Sequence, residues 1–204
     1  MGVAERRARE KDELRRTILE AATELFVEQG YQSVSMRKIA DRIEYAPSTI
    51  YLHFKDKVDL LNNICSEMFE ELDRRIASLE SQEMPPLSML RQCLRSYVEF
   101  GLEHPSHYIF VFCTPPQALG DMQAPHCKSE NDPGMQSFSR LRDGIALCMG
   151  AGEIRQGDVE TTAQCVWLMV HGLTAGLVTC QGFPFVERER LIESTLDAII
   201  RGLQ

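Results

Sequence analysis

The sequence of this 204-residue chain predicts an all-α protein, and three observations support that prediction. Apolar residues recur three and four positions apart along most of the chain, which is the spacing of one helix face. No segment shows the alternation of apolar and polar residues that a half-buried strand requires. Prolines and glycines stand between the periodic segments, where they end one helix and permit the next.

The first periodic segment ends at Gly30, a residue type that helix C-caps favour. Ahead of the segment, residues 1–12 form a basic arm. Such an arm either contacts the minor groove or the phosphates of DNA or remains a solvated tail, and the sequence leaves both open. The apolar face of the segment consists of Leu14, Ile18, Ala21, Ala22, Leu25 and Phe26.

The residues after this segment predict a short helix and a turn. Ser35 can cap the helix start by accepting a hydrogen bond from a backbone N–H. Ile39, Ala40 and Ile43 fall on one face, and the small Ala40 lets a second helix cross close to it. The turn occupies residues 44–46.

A second helix is predicted to begin at Pro47, because a proline at the first helical position loses no hydrogen bond. Ile50 and Phe54 give this helix a buried side. A helix that reads DNA lies in the major groove with its N-terminal residues at the base edges, where small, hydrogen-bonding residues are suitable. The free face of this helix carries Pro47, Ser48, Thr49, Leu52 and His53.

The two helices resemble the DNA-binding motif of the TetR/AcrR (tetracycline repressor) family of bacterial regulators. That motif is usually written as Ile-Ala, a Gly-Val-Ser turn, and Gly-Thr-x-Tyr-x-x-Phe-x-x-Lys. The matching residues are Ile39, Ala40, Thr49, Tyr51, Phe54 and Lys57. The resemblance implies that three residues approach bases and four hold phosphates. The first group is Arg37, Pro47 and Ser48, the second is Thr49, Tyr51, His53 and Lys57, and Ser35 completes the predicted DNA-binding set.

Two residues of the turn depart from the family pattern. Glu44 stands where the family usually has glycine, and a left-handed conformation there costs roughly 1 kcal/mol for a residue with a side chain. Ala46 stands where a serine would cap the second helix, which loses about 1 kcal/mol. Pro47 offsets part of that loss because its φ is preset for a helix.

The helical pattern continues to the end of the chain. We predict a DNA-binding domain of residues 1–57 and a larger effector-binding and dimerisation domain of residues 58–204. A long helix with apolar residues from Leu61 to Leu79 joins them. Residues 114–133 form a long proline-containing loop, either a lid over a pocket or a disordered segment. The remaining helices are predicted at about Leu87–Glu103, Ser106–Cys113, Gly134–Met149, Val159–Cys180 and Val186–Leu203.

The C-terminal region resembles a TetR subgroup whose C-terminal domain is named for its Trp, His and Gly. The segment EHPSHYIFVF at residues 103–112 and the residues Trp167 and His171-Gly172 carry that resemblance. Aromatic side chains with few polar groups suit a small, mostly apolar effector, but core packing uses the same residues. Trp167 and His171 are four apart on one helix face. The predicted ligand-binding residues are Phe100, His104, Tyr108, Trp167 and His171.

The last two helices predict a homodimer. An apolar stripe near the C-terminus comprises Leu191, Ile192, Thr195, Leu196, Ile199 and Leu203. Gly172, Ala175 and Gly176 permit close approach by a neighbouring helix. Two helices from each chain would form a four-helix contact, and its two-fold axis implies a pseudo-palindromic operator. The alternative is that the stripe packs within one chain.

Charge and cysteine usage narrow the class of protein. The net charge of −8 divides into +1 for residues 1–57 and −9 for the remainder, so the acidic part is expected to face away from DNA. The N-terminus lacks an apolar leader, and the uncharged residues 161–186 predict a buried helix because polar residues interrupt them. Seven cysteines scattered singly favour a reduced, cytoplasmic protein.

These observations together predict a ligand-responsive transcriptional repressor without cofactor or metal, released from palindromic double-stranded DNA by a small molecule. One alternative is a helical interaction module that binds no specific DNA. The other is a metal-dependent enzyme, which is disfavoured because no CxxC, HExxH or GxSxG spacing is present. The residues that would have to bind the metal are His104, His107, Cys113, His126 and Cys127.

Overall fold

The computed structural model describes residues 2–80, 83–114 and 132–204, and every regular element in those ranges is helical. The all-α prediction is confirmed. The predicted loop 114–133 lies almost wholly outside the described residues, as do His126 and Cys127. The helices are α1 Val3–Gln29, α2 Met36–Arg42, α3 Pro47–Tyr51, α4 Lys57–Glu80, α5 Pro86–Glu103, α6 Pro105–Tyr108, α7 Pro133–Gly150, α8 Val159–Thr179 and α9 Arg188–Leu203, with a 3₁₀ turn at Tyr31–Ser33 and a π-helical turn at Ile109–Cys113.

The basic arm is helical rather than a loose tail. α1 begins at Val3 and runs for 27 residues, which corresponds to about 40 Å. The Glu5 carboxylate accepts a hydrogen bond of 2.9 Å from the backbone N–H of Gly2 and so closes the first turn. The exposed Arg6 then pairs with Glu10 at 3.4 Å, one turn further along the helix. The arm therefore extends from the domain as a continuation of α1.

The structure contains the helix cap, the left-handed turn residue and the proline helix start that the sequence predicts for the helix-turn-helix. The Ser35 hydroxyl accepts a hydrogen bond of 3.3 Å from the Lys38 N–H and caps α2. Glu44 adopts a φ of 60°, the left-handed conformation that favours glycine. Ala46 precedes α3 without a side-chain cap, and Pro47 occupies the first turn. Both departures from the family motif therefore have the structural consequence that the sequence predicts.

One buried cluster joins the N-terminal helices to the remainder of the chain. Ile18, Ile39 and Ile50 are fully buried in it together with residues of α4. The same cluster includes Phe110 of the π-helical turn, whose ring lies 5.0 Å from that of Phe26 on α1. The N-terminal helices therefore share a packed core with the π-helical turn.

A second cluster lies among α5, α7, α8 and α9. Helices α5 and α8 approach closely at Gly101, where a Cβ would collide with Thr174 and Tyr108. Ion pairs fasten α9 to α5, among them Arg91 with Asp197 at 2.7 Å. In the described part of the chain no helix is long and apolar enough to span a membrane.

The structure corrects the prediction that the apolar stripe near the C-terminus forms a dimer surface. Ile192, Leu196 and Ile199 are buried against α5 and α8 of their own chain, so they are core residues and not a dimer surface. Exposed apolar side chains lie instead on α8, where Leu168 is 58% and Met169 45% exposed. The sequence could not separate the two faces, because the same spacing serves packing within a chain and between chains.

Candidate nucleic-acid interface and ligand cavity

The free face of α3 is open to solvent. Pro47 and Ser48 at its start are exposed, and Thr49 is half-buried. The Tyr51 side chain is 55% exposed and Leu52 is 78% exposed. Tyr51 is the last residue of the five-residue α3 and Leu52 follows it, so two large side chains lie open to solvent beside the polar residues at the start of the helix.

The start of α2 adds two polar residues to the predicted DNA-binding set. Ser35 and Arg37 are exposed, although the Ser35 hydroxyl already caps the helix. α2 and α3 contact each other directly, and the buried Ile39, Ala40 and Ile50 belong to the same cluster. The polar residues of the motif are therefore carried by two helices that hold each other in place.

Lys57 is partly buried, which revises its role as a simple phosphate contact. Its Nζ donates hydrogen bonds to the backbone carbonyls of Tyr31 and Val34, at 2.9 and 3.0 Å. Burial lowers the pKa of this lysine. Two of its three N–H groups are thus used to attach the start of α4 to the 3₁₀ turn.

His53, two residues beyond the end of α3, is half-buried, and its Nδ1 is buried without a hydrogen-bond partner among the described residues. Burial, together with the positive charges of Lys11 and Arg15, lowers the pKa of its imidazole. The side chain is therefore neutral at neutral pH in the free protein. A neutral imidazole gives a phosphate no charge to pair with until it takes up a proton.

A cavity of about 800 Å³ lies between α4, α5, α7 and α8. That volume is within the range of pockets that hold drug-sized molecules. Its walls are mainly apolar and aromatic, and its polar groups include Tyr97, Gln164 and Arg140. The apolar wall includes Phe69, Leu72, Ile76, Leu90, Leu94, Phe112, Phe138, Leu141, Trp167 and Val170.

Of the predicted ligand-binding residues, Trp167 lines the cavity and His171 and Tyr108 lie behind it. The His171 ring stacks on Trp167 with centroids 5.1 Å apart and an interplanar angle of 14°. The Tyr108 hydroxyl lies 2.6 Å from His171 Nδ1 and 3.1 Å from the hydroxyl of Tyr97. Tyr97 reaches the cavity, so it forms the outer end of this buried polar chain.

Burial sets the protonation states of His171, Tyr108 and Tyr97, the three side chains of this buried polar chain. It lowers the pKa of His171, so the imidazole is neutral and its Nδ1 is able to accept a hydrogen bond from the Tyr108 hydroxyl. Burial raises the pKa of Tyr97 to about 12 and that of Tyr108 as well, so both hydroxyls stay protonated. The polar contact that the cavity presents here is therefore an uncharged phenol.

Two predicted ligand-binding residues do not line the cavity. Phe100 is buried under the Arg75 guanidinium, whose central carbon lies 5.2 Å from the ring centroid. His104 packs against Phe100 with ring centroids 5.0 Å apart. On α5 the cavity is lined instead by Cys93 and Tyr97 with their apolar neighbours. In the sequence, residues 90, 93, 94 and 97 recur at the three- and four-residue spacing of one helix face. This spacing is the same for residues that line a cavity and for residues that fill a core, so periodicity alone does not distinguish them.

Residues 2–80, 83–114 and 132–204 contain no group of three His, Cys, Asp or Glu side chains placed to hold a metal. Burial raises the pKa values of the Cys113 and Cys148 thiols, which disfavours their reactive thiolate forms.

Two family models match the chain. Residues 18–64 match the model described as bacterial regulatory proteins, tetR family, and residues 90–199 match the tetracyclin repressor-like C-terminal domain. The chain is 28% identical over 186 residues to the HTH-type transcriptional regulator AcrR of Shigella flexneri, covering 86% of this chain and 81% of that protein. It is 26% identical over 205 residues to the HTH-type transcriptional repressor BepR of Brucella suis, covering 95% and 94%.

Solved structures share the fold. The fatty acid degradation regulator FadR from Bacillus halodurans superposes with a TM-score of 0.76 at 17% identity, covering 93% of this chain and 96% of that one. The ketosteroid transcriptional regulator KstR2 of Mycobacterium tuberculosis superposes with a TM-score of 0.72 at 16% identity, covering 93% and 94%. These relatives and structures are transcriptional regulators and not enzymes.

Proposed function

This chain belongs to the tetR family of bacterial regulatory proteins, and from that premise we propose that it is a repressor released from its operator by a small molecule. Residues 1–57 bind the operator, and residues 58–204 bind the effector and dimerise. The single observation that carries the proposal is the pairing of an open α3 face with a large, mostly apolar cavity in the same chain.

Sequence recognition is assigned to the starts of α2 and α3. Arg37 and Ser48 are exposed and carry the hydrogen-bonding groups that read base edges. Tyr51 holds a phosphate through its exposed hydroxyl, which fixes the orientation of the protein on DNA without specifying sequence.

Repression rather than activation is supported by the name of the relative BepR, a transcriptional repressor.

The effector is proposed to bind against Trp167, Phe112 and Tyr97. The walls favour an apolar molecule, and the phenol of Tyr97 provides one hydrogen bond to a polar group on it. Trp167, His171 and Gly172 also support placing the chain in the subgroup named for these three residue types.

Coupling between the cavity and the DNA-binding helices is proposed to run through the π-helical turn. Phe112 lines the cavity, and Phe110, two residues earlier, packs on Phe26 of α1. A ligand that moves Phe112 therefore also changes how Phe110 supports α1. Such a ligand lowers operator affinity only through different affinities for the two states, with coupling typically of 1–3 kcal/mol.

The dimer is proposed to form through α8 and α9. The exposed Leu168 and Met169 supply apolar area on α8, and the exposed Gly172 permits close approach. Phe183 and Phe185, which follow α8, extend this apolar surface. A two-fold contact makes the operator a pseudo-palindrome with half-sites about one helical turn apart or a multiple of it.

The proposal is tested by selecting bound fragments from the genome of the source organism with the purified protein. We expect a fragment with an inverted repeat, including one near the protein's own gene, that resists competitor DNA. The double variant Ser48→Ala, Tyr51→Ala should lose it, and Arg74→Ala, an exposed charge change on α4, should retain it. Recovery of random fragments only, equally in wild type and double variant, would contradict the proposal.

A further inference from the structure

The charged side chains that line the cavity are mainly acidic. Among the described residues, the wall carries three carboxylates, those of Glu83, Asp143 and Glu160, and one guanidinium, that of Arg140. The Arg140 charge is paired, because its Nε lies 3.4 Å from a carboxylate oxygen of Asp73 on α4. The cavity therefore presents an excess of negative charge, which attracts a cationic ligand and repels an anionic one.

Two of these carboxylates, Asp143 on α7 and Glu160 on α8, flank one position at the rim of the cavity. Both side chains are exposed, and each lies 3.9 Å from a nitrogen of the same guanidinium, that of Arg142. Both distances are long for an ion pair, and exposed pairs of this kind contribute little to stability. The Arg142 side chain therefore lies where a cation fits, but it is not held there firmly.

The hydroxyl protons at the inner wall are used within the protein. The Tyr108 oxygen lies 2.6 Å from His171 Nδ1, a distance below the usual range for an N–H donor and within that for an O–H donor, so Tyr108 donates to the imidazole. Tyr97 must then donate its own proton inward, to the Tyr108 oxygen at 3.1 Å or to His171 Nδ1 at 3.3 Å. Its oxygen consequently offers the cavity only lone pairs.

Two further polar side chains of the wall direct a donor to a protein carboxylate. The Ser137 hydroxyl donates a hydrogen bond of 3.0 Å to Asp73. The Gln164 amide nitrogen donates one of 2.8 Å to Glu160, which leaves its carbonyl oxygen as an acceptor. The wall thus offers hydrogen-bond acceptors in excess, and a ligand that carries donors complements it.

The apolar wall begins close to the acidic rim. Glu160, Gln164 and Trp167 all line the cavity from one face of α8, and the seven residues from Glu160 to Trp167 correspond to about 10 Å along the helix. A ligand with a charged end at the rim therefore reaches the Trp167 ring with an apolar part of that length. An aromatic ring near the cation adds a favourable electrostatic contact.

We propose that the effector is an apolar organic cation with N–H donors, that is, a lipophilic amine in its protonated form. Its ammonium group lies between Asp143 and Glu160, where it displaces the contacts of Arg142, and its apolar part extends along α8 to Trp167. A fatty carboxylate is disfavoured, because its head group meets carboxylates at the rim and lone pairs at Tyr97. The inference rests on the proposed function, since it names the class of ligand for the same cavity.

The test compares decylammonium, decanol and decanoate, which share one alkyl chain and differ only in the head group. Trp167 is the only tryptophan and lines the cavity, so its emission measures the binding of each compound to the full-length protein at neutral pH. Decylammonium should bind roughly three- to tenfold more tightly than decanol, since each exposed ion pair contributes modestly, and decanoate should bind more weakly than decanol. The preference for decylammonium should shrink as salt is added.

A double variant tests the position of the ammonium group. Asp143→Asn combined with Glu160→Gln removes both charges and keeps the size of both side chains. This protein should bind decanol as wild type does and lose the preference for decylammonium. The matched variant Glu70→Gln removes an exposed carboxylate of α4 that does not line the cavity, and it should keep the preference. An undiminished preference in the double variant would overturn the assignment.

The variant Arg142→Gln should act in the opposite direction. It removes the guanidinium that lies beside both carboxylates, so the affinity for decylammonium should rise by roughly two- to fivefold while that for decanol stays the same. An unchanged affinity for decylammonium would show that the ammonium group does not bind between Asp143 and Glu160.

The three compounds also separate this inference from the proposed function. If wild type binds decanol or decanoate as tightly as decylammonium, the inference is wrong and the proposed effector cavity stands. If none of the three changes the Trp167 emission, both the inference and the proposed effector cavity are wrong. Binding of operator DNA is measured separately with the selected fragments and does not depend on either result.

Discussion

The ammonium of Lys57 lies 4.1 Å from the centroid of the Tyr31 ring, at the point where α4 leaves the DNA-binding helices. A cation over an aromatic face contributes roughly 0.5–2 kcal/mol, depending on how far it is desolvated. With the two carbonyl hydrogen bonds, this contact fixes the first turn of α4 to the 3₁₀ turn. Because α4 also borders the cavity at Phe69 and Leu72, a displacement of α4 there acts on this attachment.

Lys57→Met should therefore destabilise the protein and not only weaken its binding to DNA. The variant leaves the Tyr31 and Val34 carbonyls without their donor, which costs about 1–3 kcal/mol. Urea unfolding of the two proteins measures the difference. The matched control Lys55→Met changes an exposed lysine two residues earlier and should be within about 0.5 kcal/mol of wild type. Full stability of Lys57→Met with lost DNA affinity would restore the simple phosphate role.

Glu44→Gly should stabilise the protein by roughly 1 kcal/mol. Glu44 has a φ of 60°, a conformation that costs a residue with a Cβ about this much and costs glycine nothing. Glu44→Ala keeps the Cβ and should give no such gain. The two denaturation midpoints, compared with wild type, decide the question; equal gains from both substitutions would show that the side chain, and not the backbone, carries the cost.

The DNA-binding helices could be predicted from the sequence because their signals are local. The cap at Ser35, the left-handed Glu44 and the helix start at Pro47 depend on residues within a few positions of each other. The cavity could not be placed in the same way. Phe100 and Tyr97 are three apart on α5, yet only Tyr97 faces the cavity, because that depends on which helices pack on either side.

The histidines should make the protein less stable in mild acid, and His107 should contribute most. Burial, with a smaller contribution from the His104 charge, lowers the pKa of His107 to about 4. The unfolded chain binds this proton below about pH 6.5 and the folded chain does not, so stability falls as the pH drops from 6.5 towards 4. The loss between pH 7 and pH 5 should be roughly 2 kcal/mol for this group.

His107→Gln isolates that contribution, since its unfolding free energy should change less between pH 7 and pH 5 than that of wild type by about the same amount. His104→Gln is the matched control, because it removes the neighbouring imidazole, 6.2 Å away between ring centroids, and leaves His107 in place. A pH dependence identical to wild type in His107→Gln would show that this imidazole does not resist protonation in the folded protein.

Base-reading and phosphate-holding residues should differ in what their substitution changes. Ser48→Ala or Arg37→Ala should alter the preferred bases, at a cost of roughly 1–3 kcal/mol for the contacted pair. Tyr51→Phe removes only a hydroxyl and should weaken binding to all DNA about equally. Sequence selection with each variant separates the two effects. An unchanged consensus for both Ser48→Ala and Arg37→Ala would refute their assignment to bases.

The final prediction concerns the link between cavity and operator. Because Trp167 is the only tryptophan and lines the cavity, an effector should change its emission and release DNA over the same concentration range. Phe110→Leu keeps an apolar side chain but removes the stack on Phe26, so the emission change should persist while DNA release requires more effector. Val27→Ala, a change of an exposed apolar side chain on α1 beside Phe26, should leave the emission titration and the DNA-release titration superimposed. If the emission and DNA-release titrations of Phe110→Leu also superimpose, the effect of the ligand reaches α1 by another route. The next route to test is then α4 with its attachment at Lys57.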